Sequence, residues 1–209
     1  MPAPPAAGFT VEAWIRPEPG APPRADIAAR RAPRGGSDTF TFRIRNDLGG
    51  VLELGLASEG GTWGMAGDAV VPVDRWSHAA ATWDAASGKV RIFLDGVLDA
   101  ERDGPIPPGR DPAPLWLGGD PLHGPEGRPW KGWLDELRVW DHARPAEQIR
   151  EGRTRPLHGD EPGLMLAWPL DEGEGQTAHD RGPLGLHGQL GRSPEVDAED
   201  PAWSDERPY

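Results

Sequence analysis

The chain of 209 residues contains no cysteine, which excludes disulfides, thiolate metal sites and a cysteine nucleophile. Nor is there an excess of basic residues. With 34 acidic against 22 basic side chains, the formal charge of −12 offers neither counterion release to a nucleic acid nor attraction to anionic lipid. No apolar run is long enough to span a bilayer. The opening Met1-Pro2-Ala3-Pro4-Pro5-Ala6-Ala7-Gly8 has neither the basic region nor the apolar segment of a secretory signal. These absences lead to the expectation of a soluble chain with no membrane insertion, no nucleic-acid partner and no export signal of its own, and they leave the compartment open. Catalytic signatures are missing as well: the six histidines show no His-Glu-x-x-His spacing, and no serine sits in a Gly-x-Ser-x-Gly elbow.

Turn formers and tryptophan are abundant. The 29 Gly and 25 Pro would signal disorder in a chain poor in large apolar residues, but 10 Trp and several apolar runs indicate short strands joined by tight turns. A single all-β domain is expected over residues 9–192, between a disordered arm at 1–8 and a loosely held acidic tail at 193–209.

Hydrophobic alternation places the strands. Phe9, Val11, Ala13 and Ile15 share one side of a strand ended by Pro17. Residues 18–37, rich in Pro, Gly, Arg and Ala, follow neither period and read as a long surface loop. Phe40, Phe42 and Ile44 alternate with Thr and Arg, and this run forms a hairpin with Val51 to Leu56 through Asn46-Asp47-Leu48-Gly49-Gly50. A Gly-rich loop containing Trp63 follows. Arg75 to Asp84 and Lys89 to Leu94 make a second hairpin, closed by Asp95-Gly96. Leu115 to Leu117, Trp133 to Trp140, Leu164 to Leu170 and Leu186 to Leu190 supply further strands. The one helical segment lies near 145–151, with Pro145 in a first-turn position.

Taken in order, these segments resemble the laminin G-like, concanavalin A-like lectin/glucanase family. The resemblance rests on Phe9 to Ile15, on Trp76-Ser77-His78 leading to Thr82-Trp83-Asp84, and on Gly88 to Gly96. It extends to Gly132-Trp133-Leu134-Asp135-Glu136-Leu137-Arg138-Val139-Trp140 with Ala143-Arg144, and to Gly163 through Gly188. It implies a two-sheet antiparallel jelly-roll sandwich with one short helix. The chain departs from the family pattern in two places. Its Asp171-Glu172-Gly173 and Asp180 turns follow the Asp-Glu strand instead of preceding the first strand, so the closing strand would come from the C-terminal side. Arg181 and Pro183 stand where the family has small polar residues and Asn.

The resemblance also implies a structural calcium ion, with Asp135 and Asp180 as ligands and Asp171 as a third. Strand alternation sets Asp135 beside Trp133, Leu137 and Val139, where an ionised carboxylate needs a partner. The competing reading has Asp135 bonded to backbone amides and Asp180 capping a turn. Trp63, Trp116 and Trp130 lie in or beside loops, where an indole can stack on a sugar, although indoles also plug the ends of sandwich cores. Glucanases of this fold set two carboxylates on one strand face, whereas Asp135 and Glu136 are expected on opposite faces, which argues against an enzyme. The resulting expectation is a non-catalytic binding or adhesion module that recognises a glycan or protein surface through rim loops. An accessory subunit of a larger assembly is the alternative, and a glycoside hydrolase of the same fold ranks last.

Overall fold

The computed structural model describes residues 6–30, 39–58, 61–104, 113–119, 129–191, 193–196 and 200–209. Two antiparallel sheets face each other. The six-stranded sheet has the order β11-β10-β1-β6-β7-β8, built from β1 (Gly8–Pro17), β6 (Ser77–Asp84), β7 (Lys89–Leu94), β8 (Val97–Asp103), β10 (Gly132–Trp140) and β11 (Leu164–Trp168). The five-stranded sheet has the order β5-β4-β3-β2-β9, with β2 (Arg24–Arg30), β3 (Phe40–Arg45), β4 (Val51–Ser58), β5 (Gly61–Val70) and β9 (Leu115–Leu117). A ribbon of β12 (Thr177–Ala178) and β13 (Gly188–Gln189) stands apart from both. The expected jelly-roll sandwich is thus present.

The core lies between the sheets. Phe9, Val11, Ala13 and Ile15 of β1 are 0–1% exposed, and Ala81, Ile92 and Val139 extend their layer across the same sheet. They meet Phe40, Phe42, Ile44, Leu52, Leu54 and Leu56 of the facing sheet, with the Phe9 and Phe40 rings 5.2 Å apart. Asp95 and Gly96, both at positive φ, form the two-residue loop from β7 to β8. This is the geometry for which Asp-Gly is favoured. As expected from the order of the segments, the C-terminal β11 closes the sheet against β10.

The stretch expected to be a loop at 18–37 contains β2, which lies between β3 and β9. Ala25, Ile27, Ala28 and Ala29 are all buried there. Alanine carries little strand propensity, and a register shift between Asp26 and Ala28 breaks the two-residue period, so neither signal was legible. The Gly-rich segment around Trp63 is likewise a strand, β5, paired along β4. The expected helix is α1 (Ala146–Gly152), and its Ile149 packs on Ala80 and Phe93 on the side of the six-stranded sheet away from the core.

The arm expected at 1–8 falls largely outside the described residues, and Gly8 already belongs to β1. Part of the tail runs back to the domain. Glu206 pairs with Arg16 at 2.8 Å, Trp203 Nε1 donates to the Gly175 carbonyl, and the Tyr209 ring lies 5.8 Å from Trp14. Among the described residues, no helix is long and apolar enough to cross a membrane.

Candidate functional site

The Asp-Glu strand that carries much of the family resemblance is a structural anchor. Paired residues of neighbouring strands share a sheet face, so Thr10, Glu12, Trp14, Arg138 and Trp140 all lie on the face turned away from the core. Glu12 is fully buried there. Its Oε1 accepts from Arg144 Nη1 at 2.7 Å and Trp140 Nε1 at 2.9 Å, while the Arg144 guanidinium stacks 4.0 Å from the Trp140 ring centroid. Arg138 donates to the Gly152 and Arg155 carbonyls, and Trp14 Nε1 donates to the Arg153 carbonyl. These bonds tie α1 and its flanking segments to the sheet. His78, 3.8 Å from Glu12, is held neutral because burial lowers its pKa to about 3, with Arg138, Arg153 and Arg144 adding to the effect.

Asp135 belongs to this outer face and not to the side of Leu137 and Val139. Glu136 has φ of 50°, and the pairing shifts here, with Trp14 opposite Asp135 but Glu12 opposite Arg138. The extra residue reverses the alternation assumed from the sequence. It also removes the argument that Asp135 and Glu136 point to opposite faces: Glu136 bonds Arg138 and Tyr209 on the outer side. Burial pushes the Asp135 carboxyl up to about 7. The Glu136 amide opposes that rise, the Glu136 carboxylate adds to it, Arg207 opposes it, and Asp171 adds to it.

The three expected calcium ligands are each engaged with protein groups. Asp180 accepts from the Ala167 and Gly182 amides through Oδ1 at 2.9 and 2.7 Å, and from the Leu186 amide through Oδ2 at 2.8 Å. It organises a turn. Both oxygens of Asp171 accept from Arg181 Nη2, and Asp135 Oδ1 accepts from the Glu136 amide. Calcium takes about six to eight oxygen ligands. Among the described residues, no group of three or more His, Cys, Asp or Glu is placed to hold a metal ion.

A groove of about 340 Å³ opens on the five-stranded sheet, across β3, β4 and β5. Because Phe42, Ile44, Leu52 and Leu54 take the core side, their neighbours Thr41, Arg43, Arg45, Glu53 and Gly55 take the other. Gly55 pairs with Gly64; the Thr41 hydroxyl lies over Gly55, while the backbone at Gly64 is left open. Thr41 and Thr62 place hydroxyls along the groove. The charged groups hold one another in place: Arg43 Nε donates to Glu53 Oε1 at 2.6 Å, and Arg45 Nη1 donates to Glu53 Oε2. Arg45 also donates to both oxygens of Asp47, through Nε at 2.7 Å and Nη2 at 2.9 Å. Buried Asp26 lies 3.9 Å from Arg43. The result is a preformed surface of fixed donors and acceptors.

Thr41, Arg43 and Arg45 alternating with apolar residues is the pattern of any half-buried strand, and the facing Arg43–Glu53 pair appears only once the hairpin register is known. Of the three expected aromatic residues, Trp63 lines the groove while packing partly on the core. Trp116 lies on β9, paired with Ala29 of β2, at the opposite edge of the sheet from β5. Trp130 packs partly against the core, and its amide donates to Gly118. The three indoles therefore do not form one rim.

The model of the concanavalin A-like lectin/glucanases superfamily matches residues 2–150. No curated protein matches the chain. A candidate carbohydrate binding protein from Bacteroides ovatus is similar in structure, with 26% identity and a TM-score of 0.66 over 87% of this chain; the match spans half (50%) of that protein's length. The CBM40 of Ruminococcus gnavus IT-sialidase, in complex with α2,3 sialyllactose, shares the fold at 16% identity and a TM-score of 0.59, covering 70% of this chain and 82% of that one. Domain 4 of AbnA, a GH43 extracellular arabinanase from Geobacillus stearothermophilus in complex with arabinotriose, does so at 19% identity and a TM-score of 0.52, covering 72% and 67%.

Proposed function

We propose that this chain, which belongs to the concanavalin A-like lectin/glucanase superfamily, is a non-catalytic carbohydrate-binding module that holds glycan in the groove on its five-stranded sheet. The observation that carries this reading is the groove's construction. At Gly64 no side chain covers the backbone, so a sugar ring can approach it, and hydroxyls, guanidinium groups and a carboxylate line the groove in fixed positions. Adjacent hydroxyls of a sugar can donate to a carboxylate oxygen and accept from a guanidinium N–H at the same time. The similarity to the Bacteroides ovatus protein supports the same reading.

Catalysis finds no support in this groove. Both oxygens of Glu53 are already engaged by guanidinium groups, which leaves no free carboxylate to attack or protonate a glycosidic bond. A glycan-array screen followed by titration calorimetry tests the proposal, with Gly64→Leu as the blocking variant. A Cβ at Gly64 meets only the Leu54 carbonyl, at 3.9 Å, so the side chain is accommodated and projects into the groove. Wild-type binding lost by at least about tenfold in a variant of unchanged melting temperature is the expected outcome. Equal binding by both proteins would place the site elsewhere, and no binding to any glycan would remove the module reading.

A further inference from the structure

The charge bookkeeping of the groove restricts the class of glycan, an inference that rests on the module reading above. Arg43 and Arg45 are the cations that line the groove among the described residues, and neither is uncommitted. Arg43 is bonded to Glu53 and approached by Asp26, while Arg45 is shared between Glu53 and Asp47. Arg24, beside Arg45 in the strand register, is 3.9 Å from Asp47. Among the described residues, the guanidinium groups of Arg24, Arg43 and Arg45 each lie within 4 Å of Glu53, Asp47 or Asp26, within a chain of net charge −12.

A carboxylated sugar needs a guanidinium or ammonium free to receive it. Here it would have to displace Glu53, whose side chain is only 9% exposed, from its two partners. A displaced carboxylate left in so enclosed a place is costly, and the surrounding negative field opposes the incoming anion. A neutral sugar meets no such obstacle. Its hydroxyls can use the remaining guanidinium hydrogens and carboxylate lone pairs without breaking an ion pair.

We infer that the groove selects neutral glycans bearing adjacent hydroxyls and discriminates against sialylated and uronic-acid glycans. The discrimination comes from compensation of its arginines by Glu53, Asp47 and Asp26.

The test is calorimetric titration of the full chain with arabinotriose, xylotriose and cellotriose as neutral probes, and with sialyllactose and tri-galacturonate as acidic ones, each at low and high NaCl. At least one neutral probe is expected to bind, with affinity changing less than about twofold between the salt conditions, and the acidic probes are expected to bind at least about tenfold more weakly. Glu53→Gln keeps the shape but removes one compensating charge, and it should narrow that gap. Tighter binding of an acidic probe, lost in Gly64→Leu, would overturn the neutral selectivity while leaving the module reading intact. An unchanged gap in a folded Glu53→Gln protein would overturn the compensation argument. Silence of all five probes, together with an empty array, would instead count against the module reading itself.

Discussion

Replacing Asp135 by Asn should stabilise the protein at neutral and alkaline pH, an unusual result for a buried residue on the strand most characteristic of the family. Asp135 is 4% exposed, lies beside Trp14 in the strand register and has Glu136 and Asp171 as like-charged neighbours. Its carboxyl is raised from 3.8 to about 7, chiefly by burial. Between those values the folded state keeps a proton that the unfolded chain has released, so stability falls as pH rises from about 4 through 7. The full shift corresponds to at most about 4 kcal/mol. With water reaching the ionised form and Arg207 nearby, an effect on the order of 1–3 kcal/mol is expected. Asn retains the oxygen that accepts from the Glu136 amide and carries no charge. Urea unfolding monitored by tryptophan fluorescence, for both proteins at pH 5, 6, 7 and 8, measures the difference directly. The advantage of Asp135→Asn should grow with pH across that range. A variant destabilised by a constant amount at every pH would show that the ionised carboxylate has a favourable partner and would refute the reasoning.

The other outcomes follow from the same contacts. Glu12→Ala leaves Arg144 without its carboxylate and Trp140 Nε1 without an acceptor, and it should cost about 3–5 kcal/mol in chemical denaturation. A loss below about 1 kcal/mol would show that the anchoring of α1 does not depend on that pair. Millimolar calcium added to chelator-stripped protein should leave the melting temperature unchanged, because the Asp180 carboxylate is already taken by three backbone amides. A rise abolished by Asp180→Ala would restore the calcium expectation.

The legible parts of the fold were those where large apolar residues alternate without interruption. Phe9 to Ile15, Phe40 to Ile44 and Val90 to Ile92 each present one apolar face, and each forms a strand in the expected place. The parts that escaped notice have physical reasons. β2 buries alanines, which are too small to mark a period, and β5 is opened by glycines that serve the groove. At Asp135 the family motif was visible, but a left-handed residue, Glu136, inverted its orientation. The groove was hidden for a different reason: its charges come from three strands and gain meaning only through cross-strand register.

The most direct measurement of the central claim is the map of backbone amide shifts in a nitrogen-15 spectrum as the tightest-binding neutral oligosaccharide is added. Binding in the groove should move the amides of Gly55, Thr62, Trp63 and Gly64 together with the Arg43 side-chain Nε signal, while Asp135 and α1 stay still. Shifts confined to the six-stranded sheet or to the Asp180 turn would contradict it.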